Sequence, residues 1–233
     1  MTTDIPRHYL RTVHDSTLSD MLITRIHVIS SINMLKDNSS AGPDGLPSKF
    51  FKAFCVQLAN PLQKIFQMSF DSGVVPSVWK CSFIQPIFKG KGKDSDPACY
   101  RPISLTCIMC KIFERILKWE INKYIIDNNI ITNHQHGFLS KKSTQTQLIE
   151  CTNDWSLYLD QQEGVDVIYL DISKAFDTVS HPKLLHKLDK YGLKDKFHNW
   201  LRSYLSERTQ QVRVNGSFSS KSDVTSCFRR VAS

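Results

Sequence analysis

The stretch Val165-Asp-Val-Ile-Tyr-Leu-Asp-Ile-Ser-Lys-Ala-Phe-Asp177 constrains the fold of this chain more than any other. Its first half, residues 165–172, is dense in β-branched and aromatic residues, which predicts a strand buried on both faces. Asp171 falls near the end of that strand, where side chains reach solvent from a rigid base. A carboxylate so placed either binds a metal ion or caps the next helix.

Charge indicates what kind of partner the chain has. The 233 residues are 41% hydrophobic, which allows one large domain or two small ones. Lys and Arg number 30 against 22 Asp and Glu, and a net charge of +8 favours a polyanionic partner. Residues 80–123 hold more than half of this excess, with nine basic residues against four acidic ones.

Cysteine usage and hydropathy predict the compartment. Seven cysteines is an odd number, no secretory signal opens the chain, and no apolar run is long enough to cross a bilayer. We therefore expect an intracellular protein with reduced cysteines, in the nucleus or the cytoplasm, that does not associate with a membrane. Cys107 and Cys110 have the spacing of metal ligands but lack a second pair, so buried thiols are expected.

Apolar residues at helical intervals predict several helices along the chain. We expect an amphipathic helix in residues 17–36 and two helices in residues 48–72, the second starting at Asn60. A long helix is predicted over residues 105–126, and another from a Ser143 cap to about Gln162, with Leu148, Trp155 and Leu159 inward. Two more follow, from Pro182 to Leu188 with a stop at Gly192, and around residues 197–205.

Two segments have the composition of β-hairpins. Residues 82–88 form a strand pattern that runs into Lys89-Gly-Lys-Gly-Lys93, a basic loop typical of a hairpin tip. Asn215-Gly216, between β-prone flanks, is the strongest turn signal in the chain.

In this order of segments the chain resembles the reverse transcriptases of non-LTR, LINE-type and jockey-like, retrotransposons. The resemblance covers about residues 31–226 and rests on five blocks in a fixed order. They are Ala41-Gly-Pro-Asp-Gly45, Trp79-Lys-Cys-Ser-Phe-Ile-Gln-Pro-Ile-Phe-Lys89, Tyr100-Arg-Pro-Ile-Ser-Leu105, Gln135-His-Gly-Phe138 with Ser143-Thr144, and Leu170-Asp-Ile-Ser-Lys-Ala-Phe-Asp177.

The resemblance implies an α+β fold, the fingers and an incomplete palm of a right-hand polymerase. We expect a helical N-terminal extension in residues 1–40, a fingers-like region in 41–163, and a partial palm in 164–226. Residues 227–233 are expected to be an aberrant tail, because a shifted reading of DNA able to encode them spells Leu-Pro-Gln-Gly-Ser-Val, the block that the family has next.

The resemblance also implies an activity, RNA-directed DNA polymerisation, in which dNTPs are added to a DNA primer on an RNA template with two Mg²⁺ ions. Asp171 corresponds to the first metal-binding aspartate, and the Ile172 carbonyl is a further metal ligand. Phe176 matches the aromatic residue that packs under the sugar and rejects a 2′-hydroxyl.

Basic residues take the remaining implied roles. Lys89 and Arg101 fall where relatives hold the incoming triphosphate, as point charge and bidentate donor. Lys91, Lys93, Lys141 and Lys142 are expected to contact nucleic acid.

The C-terminal part departs from the family pattern, since the Tyr-x-Asp-Asp hairpin with the other metal-binding carboxylates is not in the sequence. We therefore expect this chain alone to be inactive. The alternative function is a non-catalytic RNA- or DNA-binding remnant of a retrotransposon, which uses the basic region to hold the nucleic-acid backbone.

Overall fold

A computed structural model describes residues 16–37, 39–172, 175 and 178–224 of the chain. The chain forms two compact units. The first comprises Met1–Tyr124 and Lys174–Ser233, and the second comprises Ile125–Ser173. The predictions for Phe176 and for the tail 227–233 lie outside the described residues. The predicted domain boundaries stay a prediction.

Helices are the predominant secondary structure of the described residues. They are α1 (Arg25–Asn33), α2 (Ser48–Ala53), α3 (Cys55–Ser72), α4 (Ile108–Asp127), α5 (Thr144–Asp160), α6 (His181–Lys190) and α7 (Asp195–Leu205), with 3₁₀ turns at Ser77–Lys80 and Pro97–Cys99. In the part of the chain that the structure covers, none of the helices has the length and apolar character needed to cross a membrane.

The strands form one mixed sheet in the first unit. They are β1 (Cys81–Phe88), β2 (Tyr100–Leu105), β3 (Thr209–Val214), β4 (Ser217–Phe218) and β5 (Ser222–Asp223). β1 pairs antiparallel with β2 on one side and parallel with β3 on the other, and β3 also pairs with β4 and β5. This combination of helices with a mixed sheet confirms the α+β class.

An aromatic cluster forms the centre of the first unit. Phe66 of α3 stacks on Phe113 of α4, with ring centroids 4.9 Å apart. Trp200 of α7 meets Phe113 edge-on at 5.0 Å, and Trp79 meets it at 6.1 Å. All four side chains are buried. The buried stripes of three helices therefore meet at one ring, directly before β1 begins.

The first described residues are bound into this unit by hydrogen bonds from both backbone and side-chain groups. Leu18 pairs with Leu193, and the Tyr124 hydroxyl donates to the Ser16 carbonyl at 2.7 Å. Gly192 has φ +90°, and a Cβ there would lie 2.2 Å from the Tyr124 hydroxyl oxygen. The helix stop predicted at Gly192 is therefore confirmed, and the close approach requires glycine at this point.

Two predicted helix boundaries are wrong. α1 begins at Arg25, because the residues before it are extended and Ile23 donates its N–H to the Gln67 side chain instead. α3 begins at Cys55, so Pro61 lies inside the helix and not in its first turn. Burial of Cys55 and other early α3 side chains outweighs the missing Pro61 hydrogen bond.

The predicted central strand is also wrong in this structure. Residues 163–172 have no strand partner among the residues that the structure describes, and Ile168, Tyr169 and Leu170 are 82%, 82% and 90% exposed. A strand buried on both faces needs neighbouring strands and covering layers. The described residues supply neither in the second unit, since the sheet that they form is built around β1.

The prediction that α5 buries one face is wrong for the same reason. Leu148 and Leu159 are largely exposed, and Trp155 is half-buried. The Ser143 cap is confirmed, because its hydroxyl accepts the N–H of Thr146 at 3.2 Å.

We expect Phe113→Ala to lower the free energy of unfolding by about 3–5 kcal/mol, because it removes the ring at the centre of the aromatic cluster. Urea unfolding followed by tryptophan fluorescence measures the loss. The control is Phe138→Ala, the same deletion at a side chain that is 92% exposed, which should change stability by less than about 0.5 kcal/mol. Equal losses for the two variants would contradict this account of the core.

Candidate nucleic-acid interface

The β1–β2 hairpin brings two predicted site residues to the same face. Arg101 on β2 is paired with Ile87 on β1, and the N–H of Lys89 donates to the Cys99 carbonyl at 2.8 Å. Side chains alternate between faces along a strand, so Lys89 and Arg101 share a face as diagonal neighbours. By this register their Cβ atoms lie within roughly 7–8 Å of each other, a separation that one phosphate chain can bridge.

The two cations differ in their present contacts. The Lys89 ammonium donates to the Ala98 carbonyl at 2.5 Å, within the loop at the tip. Arg101 is exposed, and its guanidinium has no hydrogen-bond or ion-pair partner among the residues described. An anion could therefore bind the Arg101 guanidinium directly. To bind the same anion, the Lys89 ammonium would first give up its hydrogen bond to the Ala98 carbonyl.

The tip of the hairpin carries Lys91 and Lys93, both exposed. Gly92 between them has φ +86°, and a Cβ there would lie 2.3 Å from the Cys99 sulfur. The Tyr100 hydroxyl donates to the Asp94 carbonyl at 2.8 Å and closes the loop. The tip thus presents its lysines from an ordered turn that requires glycine.

Sequence reasoning missed a third cation on this sheet face. The parallel pairing of β1 with β3 sets Ile84 opposite Val212, so Arg213 is level with Gln85 and lies on the face of Arg101. Its guanidinium lies 5.7 Å from the centroid of the Phe83 ring. The alternation of β3 was readable in the sequence, but its pairing with β1 was not.

A second group of predicted residues lies in the second unit, in the segment before α5. His136 is buried, and its Nε2–H donates to Glu150 of α5 at 2.6 Å. His134 donates from Nδ1 to the other oxygen of Glu150 at 3.0 Å. The hydrogen bond from His136 is the main cause that holds the pKa of Glu150 below its ordinary value, against a smaller opposing effect of burial.

The two predicted lysines of this segment follow these histidines. Lys141 is exposed and has φ +64°. Lys142 is half-buried, and its ammonium donates to the Asn133 carbonyl. The Lys142 side chain thus connects two parts of the segment before α5, whereas the Lys141 side chain is open to solvent.

The predicted metal ligands Asp171 and Ile172 are exposed, in the extended segment after α5. They belong to the second unit, and the hairpin cations belong to the first. Across residues 16–224, apart from the undescribed positions, no group of three His, Cys, Asp or Glu side chains is placed to hold a metal ion.

The basic region 80–123 divides in the structure. Lys80 is buried and pairs with Glu207 at 3.3 Å, and Arg115 donates to the Ser31 carbonyl at 2.7 Å. Burial lowers the pKa of the Arg115 guanidinium. These two cations therefore support the fold, and the rest lie either on the hairpin or on α4.

A cation-lined sheet face beside a basic, glycine-containing tip has the charge that attracts phosphate-bearing ligands. Comparison with protein families is more specific. Residues 88–230 match the family described as reverse transcriptase (RNA-dependent DNA polymerase). The matched part includes the tip of the hairpin, β2, Asp171 and β3, and it exceeds half of the chain, so the chain belongs to the reverse transcriptase family.

Several relatives come from mobile elements of insects. The chain is 30% identical over 192 residues to the probable RNA-directed DNA polymerase from transposon BS of Drosophila melanogaster, covering 82% of this chain and 21% of the relative. It is 30% identical over 211 residues to the RNA-directed DNA polymerase from mobile element jockey of the same species, covering 89% and 23%. The resemblance to jockey-like elements is thus confirmed, and the chain spans about a fifth of the length of these relatives.

We expect His136→Asn to raise the pKa of Glu150 towards its ordinary value of 4.5, because the main hydrogen bond to the carboxylate is removed. A depressed pKa in the folded state stabilises the fold above the unfolded value, and this contribution disappears as pH falls through the folded value. Carboxyl ¹³C NMR titration of Glu150 measures the shift. His134→Asn is the matched control and should raise the pKa less. A Glu150 pKa that is the same in the parent and in both variants would refute the pairing.

Proposed function

We propose that this chain is the part of an RNA-directed DNA polymerase that holds the incoming nucleotide and the template. The observation that carries the proposal is the position of Lys89 and Arg101 on one face of the β1–β2 hairpin. The family to which the chain belongs and the printed names of its relatives support the same activity. RNA template, DNA primer and dNTPs are the proposed partners of the complete protein.

The chemistry of phosphoryl transfer explains why such cations are needed. The protein does little covalent work, so catalysis rests on positioning and on neutralising the charge that develops on the phosphates. Arg101 offers a planar fork that bonds two phosphate oxygens, and Lys89 offers a compact point charge on a flexible stem. Arg213 adds a third positive charge to the same face.

The metal ligands form a separate part of the proposal. We place the first magnesium ligand of the complete protein at Asp171, with the Ile172 carbonyl beside it and Phe176 under the sugar. A two-metal site needs carboxylates from more than one strand. The described residues offer one carboxylate at this position, so they do not by themselves fit two Mg²⁺ ions.

Lys91, Lys93 and Lys141 are proposed to hold the nucleic-acid backbone. Each is exposed, and each lies in a turn that presents the ammonium to solvent. Lys142 contributes by keeping its segment in place through Asn133. Backbone contacts of this kind release counterions and carry no sequence preference.

We expect Lys91→Gln and Lys93→Gln each to weaken binding of single-stranded RNA and to reduce the slope of log K against log salt by about 0.7, since each removes one phosphate contact. Fluorescence anisotropy at several salt concentrations measures both effects on the full chain. Lys64→Gln, at an exposed position of α3, is the matched control and should leave the slope almost unchanged. Identical slopes for all four proteins would show that the hairpin does not bind RNA.

We expect Asp171→Asn to abolish primer extension by the complete protein while leaving its RNA affinity nearly unchanged, because the carboxylate serves the metals and the lysines serve the backbone. The control is Asp166→Asn, an exposed aspartate in the same segment, which should extend primers at the parental rate. Extension by Asp171→Asn at that rate would remove Asp171 from the metal site. RNA binding without any incorporation by the parent would instead favour the non-catalytic remnant.

A further inference from the structure

Helix α4 carries an exposed tryptophan surrounded by basic groups. Trp119 is 54% exposed, and the Lys123 ammonium lies 5.8 Å from its ring centroid. The His27 ring of α1 lies 5.7 Å from the same ring at an angle of 47°. Lys118, also exposed, precedes the tryptophan. We call these four residues the Trp119 surface, and it shares no residue with the hairpin.

Charge on this side of α4 is of one sign. At 100° per residue, Lys111, Arg115, Lys118, Trp119 and Lys123 fall within an arc of about 140°. Glu114 lies outside the arc and accepts a hydrogen bond from the Tyr204 hydroxyl at 2.7 Å, and Glu120 lies about 60° beyond Lys123. Lys118 and Lys123 make no ion pair with any residue that the structure describes.

The α1–α4 contact alone does not account for this arrangement. Arg115 already joins the two helices through its bond to the Ser31 carbonyl. His27 contacts Trp119 but leaves about half of the side chain open to water. An exposed indole beside unpaired ammonium groups matches a known pattern of nucleic-acid binding, in which a base stacks on the ring and phosphates meet the cations.

We propose that the Trp119 surface binds a single-stranded segment of nucleic acid, with one base stacked on Trp119 and the adjoining phosphates on Lys118 and Lys123. A single strand is required because the bases of a duplex have their faces covered by neighbouring pairs. Lys118 and Lys123 are about 7.5 Å apart along the helix axis, so their flexible stems flank the stacked base. Lys123 leaves the ring for a phosphate when the base arrives.

This site goes beyond the proposed function. Binding at this site needs neither a metal ion nor a triphosphate. The proposal is therefore independent of whether the complete protein polymerises DNA. Binding by stacking and charge has little sequence preference, so the surface would hold a strand regardless of its sequence.

The test compares two strands of equal length and charge on the full chain, a fluorescein-labelled 20-nucleotide oligouridylate and the same backbone without bases. We expect Trp119→Ala to weaken oligouridylate binding roughly tenfold, since a base loses its stacking partner. Binding of the abasic strand should change less than twofold. Trp119→Phe should fall between parent and alanine variant. Lys123→Gln should weaken both strands alike, because both carry phosphates.

Matched controls lie on α3, where Met68→Ala removes an exposed apolar side chain and Lys64→Gln removes an exposed charge. Both should bind like the parent, and circular dichroism should show the same fold for all variants. Equal losses of Trp119→Ala on the two strands, or no loss on either, overturn the proposal. So does a change from dimer to monomer in sedimentation with RNA affinity unchanged, which would make the surface an interface between two copies.

The test also separates this site from the hairpin. In a Lys91→Gln background, Trp119→Ala should weaken oligouridylate binding by the same factor as in the parent, since the sites share no residue. A Trp119 effect that persists while hairpin substitutions do nothing would count against the proposed function alone.

Discussion

The contact of Phe113 with three other aromatic rings is the interaction on which the first unit depends. Those rings come from α3, from the turn before β1 and from α7, so one side chain of α4 joins segments that are far apart in sequence. β1 starts two residues after Trp79, and its direction is therefore set by how that indole packs. Trp119 lies on the same helix as Phe113, so the packing of Phe113 also positions Trp119. Both basic surfaces are thus held by one apolar centre.

The excess positive charge of the chain does not make one continuous surface. Lys80 and Arg115 are used inside the fold, where a carboxylate and a carbonyl compensate them. The hairpin presents its cations on a sheet face, around a turn that two glycines make possible. α4 presents its cations beside an aromatic ring. The first geometry suits a compact anion such as a triphosphate, and the second suits an extended strand with bases.

Local signals in the sequence predicted local structure well. The stop at Gly192, the cap at Ser143, the turn at Asn215 and the strand before Lys89 all depend on a few neighbouring residues, and all were confirmed. The prediction of a buried strand at residues 165–172 was wrong because strand composition produces a buried strand only where neighbouring strands and covering layers are present. The position of Arg213 beside the hairpin was missed because parallel pairing leaves no local pattern. Family motifs were enough to name Lys89 and Arg101 as site residues. That the two lie on one sheet face became clear only from the pairing register of β1 with β2.

The parallel pairing of β1 with β3 makes the first unit discontinuous in sequence, and this affects how the chain is made. Residues 81–84 find their partners at 209–212, on the far side of the excursion through the second unit. A ribosome adding about 5–20 residues per second needs roughly 5–20 s to reach β3 after finishing Tyr124. During that interval one edge of β1 has no partner, and an unpaired edge is a template for wrong strands. The nascent protein therefore depends on whatever shields that edge until the returning segment emerges.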